Sequence, residues 1–196
     1  IKVYHGTADD LSILYEQTKN KYPRGLQYFK DLYNFFSKDN LVDFYYSKLD
    51  TTEYLQYTQK TYNTYQKRSL ALTNELFKKP ANSDKLINEK LIVDKMVVKY
   101  RNQLSEATKY LKEFPQGIIT SSIIIIKWQD EIYLAIDGYD EKYKKFGAKQ
   151  LMIWKLMGRY AKMGYKKFHL GGVSNINKPN NRYKGLNEFK MSFHAN

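Results

Sequence analysis

Trp154-Lys155-Leu156-Met157-Gly158-Arg159-Tyr160-Ala161-Lys162-Met163-Gly164-Tyr165-Lys166-Lys167-Phe168-His169-Leu170-Gly171-Gly172-Val173 holds the end of a helix, a turn, a strand and a sharp bend in one short run. The helix opens upstream, at Phe146 or Gly147, and places Leu151, Trp154 and Met157 at helical spacing. Gly164 stops it, because glycine tolerates the left-handed conformation found just past a helix end. Lys167 to Leu170 then reads as a strand, and Gly171-Gly172 lets the backbone turn sharply or approach a ligand closely.

The rest of the chain is organised around this helix and strand. Upstream, Ile118 to Trp128 is apolar and β-branched, the composition of a buried strand. Gln129-Asp130-Glu131 makes a tight turn into a second strand, Ile132 to Ile136. Nearer the start, Ile1 to Tyr4 alternates as an edge strand. Asp9 or Asp10 caps a helix carrying Leu11, Leu14 and Tyr15 that ends before Pro23. A second helix from Leu26 presents Phe29, Leu32 or Tyr33, and Phe36 on one face, and Leu41 to Tyr46 is rich in strand formers. After the loop Lys178-Pro179-Asn180-Asn181, the alternation of Phe189, Met191 and Phe193 predicts a last strand.

Residues 51–114 have a different character. Leu55, Thr58, Tyr62, Tyr65, Ser69, Leu72 and Leu76 recur at alternating steps of three and four. The segment from Lys78 to Asp84 breaks the pattern, and Val93, Val97, Tyr100, Leu104, Ala107, Leu111 and Phe114 resume it. This spacing predicts two long helices in an antiparallel hairpin with a coiled-coil-like seam. The expected organisation is therefore residues 1–50 with 115–196 as one α/β domain, a mixed sheet flanked by helices, and 51–114 as an inserted helical arm. The order of elements around the arm resembles the GNAT acyltransferase fold.

Charge and composition narrow the function classes. Lys and Arg number 33 against 20 Asp and Glu, a net charge of +13 that favours polyanionic partners such as nucleic acid or an anionic membrane surface. With no cysteine, disulfides and thiolate metal sites are excluded. His5, His169 and His194 have no acidic partner by spacing, and no cluster reads as a metal site. The longest apolar stretch, Ile118 to Ile126, is too short to span a bilayer. No signal-peptide pattern opens the chain, and a start at Ile1 rather than Met fits a fragment.

Two C-terminal segments together resemble the FemABX family. The opening stretch is similar to its pattern of a helix with Trp and Tyr-Ala-Lys, then Gly-Tyr, then an apolar strand ending in Gly-Gly. Gly185-Leu186-Asn187-Glu188-Phe189-Lys190-Met191-Ser192-Phe193 matches its closing Gly-Leu-x-x-Phe-Lys-x-x-Phe. The helical arm is a third agreement. The sequence departs from the pattern at His169, where the family usually has an acidic residue, and at Met191-Ser192, where it usually has Lys-Gly. Members have two GNAT-like domains and this chain resembles the second, so the resemblance implies a missing N-terminal partner domain.

The implied activity is aminoacyl transfer from aminoacyl-tRNA to the stem peptide of a peptidoglycan precursor, a lipid-linked or UDP-linked muramyl pentapeptide. No cofactor is implied, with aminoacyl-tRNA as co-substrate and no metal. The implied setting is the cytoplasm, peripheral at the inner face of the membrane. Lys190 corresponds to the family's Lys implicated in catalysis, as oxyanion or tRNA-phosphate partner, and Phe189 beside it could pack against the terminal adenosine or the stem peptide. Arg24, Tyr28 and Tyr133 correspond to precursor-contacting residues, with Phe193 assigned to substrate alongside them. By analogy with tRNA-binding arms, Lys60, Lys67, Arg68 and Lys99 on the arm are candidate tRNA contacts. The alternatives are a non-catalytic tRNA- or precursor-binding module and an acetyl-CoA-dependent acetyltransferase. The latter needs a pyrophosphate-binding turn, and Lys144-Lys145-Phe146-Gly147-Ala148-Lys149 is one residue out of register for it.

Overall fold

The structure, a computed structural model, describes residues 1–21, 23–78, 83–171 and 184–193. The chain divides into two compact units, Ile1–Lys48 with Ile119–Asn196, and Leu49–Ile118.

The first unit is a five-stranded sheet in sequence order: β1 (Lys2–Gly6), β2 (Val42–Leu49), β3 (Ile118–Trp128), β4 (Glu131–Tyr139) and β5 (Lys167–His169). β1–β2 and β3–β4 pair antiparallel and β4–β5 parallel. Between β2 and β3, the Lys127 N–H donates to Leu41 O, and the Ser47 hydroxyl meets those of Thr120 and Ser121. Those crossed ends make that pair antiparallel as well. The β3–β4 register slips between Ile124 and Ile125, which leaves Ala135 as an extra residue, a bulge.

Both faces of the sheet are covered. Helices α1 (Leu11–Thr18) and α2 (Leu26–Ser37) lie on one face, where Leu11, Leu14, Phe29, Val42, Phe44 and Ile124 form a buried core. On the other face α5 (Ala148–Lys162) and α6 (Lys184–Met191) flank a core of Tyr45, Ile123, Ile125, Ile132, Met152, Ile153, Leu156 and Tyr160. Alternation along β3 sends Ile123 and Ile125 one way and Ile124 the other, so the run is apolar throughout because each side meets a core. α5 ends where expected, with Gly164 at φ +94°.

A polar cluster ties α5 to the sheet. The Tyr160 hydroxyl donates to Asp43 Oδ2 at 2.5 Å, Lys127 Nζ lies 3.1 Å from the same oxygen, and His5 Nε2 lies 3.2 Å from Oδ1. Burial pushes the Asp43 carboxyl up, but hydrogen bonds from Tyr160, Lys127 and His5 outweigh it and hold it below its ordinary value. His5 therefore does have an acidic partner. Sequence spacing hid the pair because β1–β2 pairing brings together residues 38 apart.

The second unit is the helical hairpin of α3 (Thr51–Lys78) and α4 (Ser83–Glu113). The seam is populated as the heptads predict: Thr58, Leu72, Val93 and Ala107 are buried, and the Tyr65 and Tyr100 rings stack at 5.4 Å. Ser69 donates to Asp94 across it, and Thr51 donates to Phe114 O where the helices begin and end.

Candidate functional site

The C-terminal segment carrying Lys190 is a helix, not the strand that alternation predicts. Phe189 and Phe193, four residues apart, both pack against the α5-side core with ring centroids at 5.3 Å, whereas Met191 stays 49% exposed. A spacing of four, rather than two, is thus what the packing uses. The helix also changes the setting of Lys190, which is only 9% exposed rather than an open surface residue. Its ammonium reaches Gly171, just past β5: a Cβ at Gly171 would stand 3.4 Å from Lys190 Nζ, and Gly171 has φ +79°. The two C-terminal motifs therefore meet here, and the positive φ is what calls for glycine at 171. Lys149, ion-paired to Asp137, stands 5.0 Å from the Phe189 ring centroid.

The other side of the sheet carries a cluster that sequence spacing did not reveal. Parallel pairing sets Glu131 opposite Lys167 and Tyr133 opposite His169. Glu131 Oε2 accepts from the Tyr133 hydroxyl at 2.5 Å and lies 2.9 Å from His169 Nε2, while Oε1 accepts from Lys167 at 2.6 Å. Lys167 first, then Tyr133 and His169, hold the Glu131 carboxyl down at about 2. The Tyr133 and His169 rings stack at 4.4 Å, nearly parallel. His169, expected to have no acidic partner, has Glu131, 38 residues away. Only the strand register unites them.

Arg24 and Tyr28 also meet, with the Arg24 guanidinium over the Tyr28 ring and Nη1 donating to its hydroxyl at 2.5 Å. Gly25 is the N-cap of α2, so Arg24 stands just outside the helix and the pair does not share a helical face as expected. α2 packs on the Phe44 side of the sheet, and Tyr133 points to that side too, since its neighbours Ile132 and Leu134 join the opposite core. The candidate residues thus fall into an Arg24–Tyr28 pair and Tyr133 with His169 on one face, and Phe189 with Phe193 on the other.

On the arm, Lys60, Lys67, Arg68 and Lys99 are all exposed. Lys60 and Lys67 lie two turns apart on one face of α3. Arg68 is already engaged, with Nη2 2.5 Å from Glu89 and Nη1 3.3 Å from Glu75. Lys99 lies 5.6 Å from the Tyr100 ring.

A cavity of about 670 Å³ opens between α1 and the end of β4, lined by Ser12, Glu16, Gln17, Lys21, Tyr139 and Glu141 among others, and contains none of the candidate residues. Among the described residues no group of His, Asp and Glu could hold a metal, and no helix is long and apolar enough to cross a membrane. His194 lies outside the described residues.

A mixed sheet with helices on both faces and an inserted antiparallel hairpin is a GNAT-like architecture. The solved structure titled "Crystal structure of FemX" shares it, with a TM-score of 0.70 and 18% identity over 96% of this chain and 48% of that one. This chain thus spans about half the length of FemX. No curated protein sequence matches the chain. All of it, residues 1–196, matches the FemAB family, and the chain belongs to that family.

Proposed function

We propose that this chain is the C-terminal part of a transferase that moves an amino acid from aminoacyl-tRNA to the stem peptide of a peptidoglycan precursor, at the cytoplasmic face of the membrane. The observation that carries the reading is the meeting of Lys190 with Gly171, which puts a cation beside the backbone just past β5. Family membership fits the same chemistry.

In this reading a stem-peptide amine attacks the ester that joins the amino acid to tRNA. The ester is already activated, so the protein's tasks are alignment, exclusion of water and stabilisation of the tetrahedral oxyanion. Lys190 supplies the positive charge for the oxyanion, and Phe189 holds the helix that carries it. Arg24 and Tyr28 offer a guanidinium and a hydroxyl to the precursor's phosphates, with the remaining N–H groups of the guanidinium as donors. Tyr133 offers a ring on the same face of the sheet. Phe193 packs edge-on against Phe189 and supports it beside the substrate. The precursor is lipid-linked or UDP-linked, and a further domain completes its site.

The test is transfer by the full-length protein. Charged tRNA incubated with muramyl pentapeptide should yield a product heavier by one amino-acid residue in mass spectrometry. No product with any charged tRNA and either acceptor would refute the proposal.

The arm is the second part of the reading, as the tRNA contact. Replacing Lys60, Lys67 and Lys99 together by Gln is expected to weaken tRNA binding and flatten its salt dependence, because fewer counterions are released. Arg68→Gln should change both less, since Glu75 and Glu89 already neutralise that charge. A filter-binding series at rising salt checks this, and an unchanged slope in the triple variant would remove the arm from tRNA recognition.

A further inference from the structure

We infer that the distal half of the helical arm docks on an anionic lipid surface. The inference rests on the membrane setting of the transfer reading above and assigns it to particular residues. What motivates it is a group of large apolar side chains that the hairpin leaves in water. Leu70 and Phe77 of α3 and Ile87, Leu91 and Val98 of α4 are all exposed, from 42% at Ile87 to 83% at Phe77.

These five share one side of the hairpin. The helices are bridged on both sides of the seam, by Ser69 to Asp94 on one and by Arg68 to Glu89 on the other. At 3.6 residues per turn, Ser69 and Arg68 leave the buried Leu72 line in opposite directions, and Asp94 and Glu89 leave Val93 likewise. Leu70 and Phe77, two turns apart, lie on the Ser69 side of α3. Ile87, Leu91 and Val98 lie on the Asp94 side of α4. Because Ser69 and Asp94 touch, the two sets form one face. Among the described residues, Ile92 is the one exposed apolar side chain of this half that falls on the other side. The Ser69–Asp94 bond and the Tyr65–Tyr100 stack also fix the stagger, which sets Phe77 level with Ile87 where α3 stops and α4 starts.

The charge around this face selects the partner. Lys78 follows Phe77, Lys95 stands one turn beyond Leu91, and Arg101 stands one turn beyond Val98. None of these three cations is in an ion pair among the described residues. The acidic groups nearby are Asp94, which Lys90 holds at 2.7 Å, and Asp84 in the first turn of α4. An apolar stripe bordered by cations suits the boundary of an anionic bilayer, where apolar side chains enter the acyl region and ammonium groups meet phosphates. A second copy of the chain would bring the same cations against themselves. Five apolar side chains are also few beside the roughly 20–30 residues that each side of a stable protein interface supplies. A lipid surface needs no matching shape. Lys60, Lys67 and Lys99, the arm's candidate tRNA contacts, fall outside this face, so the two partners do not compete for it.

The test is co-sedimentation of the full-length protein with vesicles of equal parts phosphatidylglycerol and phosphatidylethanolamine, and with vesicles of phosphatidylcholine alone. Wild type should bind the first and not the second, and rising salt should release it. Phe77→Ser with Leu91→Ser should weaken binding by about 10-fold or more, because two apolar side chains no longer enter the lipid. Tm, oligomeric state and transfer to the soluble UDP-linked acceptor should hold, since both residues are exposed. Replacing Lys78, Lys95 and Arg101 by Gln should flatten the salt dependence. If the double Ser variant does not fold, Phe77→Ser alone carries the test. Equal binding by wild type and the Ser variant, or no preference for phosphatidylglycerol, overturns the inference. A Ser variant that turns from dimer to monomer with vesicle binding intact gives the face to a second copy and overturns it too. So does a loss of tRNA binding in place of vesicle binding. The transfer reading is judged apart, by product from the soluble acceptor. A wild-type protein that makes product but ignores vesicles loses the inference alone, and one that binds vesicles without making product with any acceptor loses the transfer reading.

Discussion

Replacing Lys190 by Met in the full-length protein is expected to lower the single-turnover rate of aminoacyl transfer by about 10²–10³-fold, the usual cost of losing one oxyanion donor. Methionine retains most of the aliphatic bulk, so the packing of Phe189 and Phe193 against the core is preserved. Lys190 is nearly buried, so this change, unlike loss of a surface charge, touches the fold, and Tm must be read beside the rate. Lys190→Arg is the informative companion, because it keeps the charge but cannot place a compact ammonium against Gly171. Weaker tRNA binding with an unchanged single-turnover rate would make Lys190 a phosphate clamp. Full activity of Lys190→Met would remove it from the mechanism.

The largest effect on stability is expected at Asp43. Asp43→Ala removes the charged partner of Lys127, whose side chain is 7% exposed, leaving it only Asn40 Oδ1 at 3.2 Å, and leaves the Tyr160 hydroxyl only the Tyr45 hydroxyl at 3.3 Å. Breaking one side of a buried pair typically costs about 3–5 kcal/mol, because the remaining charge is stranded. Urea unfolding should show that loss in the midpoint, and adding Lys127→Met should recover part of it. The pH dependence has a definite sign. The folded pKa of Asp43 is depressed, so its contribution is complete above the unfolded carboxylate value of about 3.9 and is lost as pH falls through the folded value. Wild type should therefore lose stability in acid more steeply than Asp43→Ala. Equal acid sensitivity would place the acid-labile contact elsewhere.

The hairpin and the sheet could be read from the sequence because local periodicity determines them. Leu55 to Leu76 and Val93 to Phe114 keep one face in register over several turns, and the short break between them lets the two faces close on each other. The isoleucines of β3 and the stop at Gly164 are equally local signals. At residues 189–193 the reading failed because Phe-x-x-x-Phe fits a strand with Met191 included and a helix without it. Tertiary packing chose the helix. The Glu131–His169 and His5–Asp43 pairs could not be read, because each depends on which strands become neighbours. The candidate residues Lys190, Arg24 and Tyr133 came from motif resemblance, since a lone lysine or arginine carries no periodic signal. Their surroundings became visible only once the chain was folded.

The bare backbone at Gly171 has a consequence for how this protein can fail. Residue 171 contributes no acid, base or charge, yet its backbone turn is the surface a charge rests against. A single added carbon there would only touch the Lys190 ammonium, at 3.4 Å, but it would strain a backbone at φ +79° and shift the turn. Every functional group would still be present, and a survey of the chemistry would find nothing missing. The damage would be one of placement, and a protein of this kind can be silenced by gaining an atom as readily as by losing one.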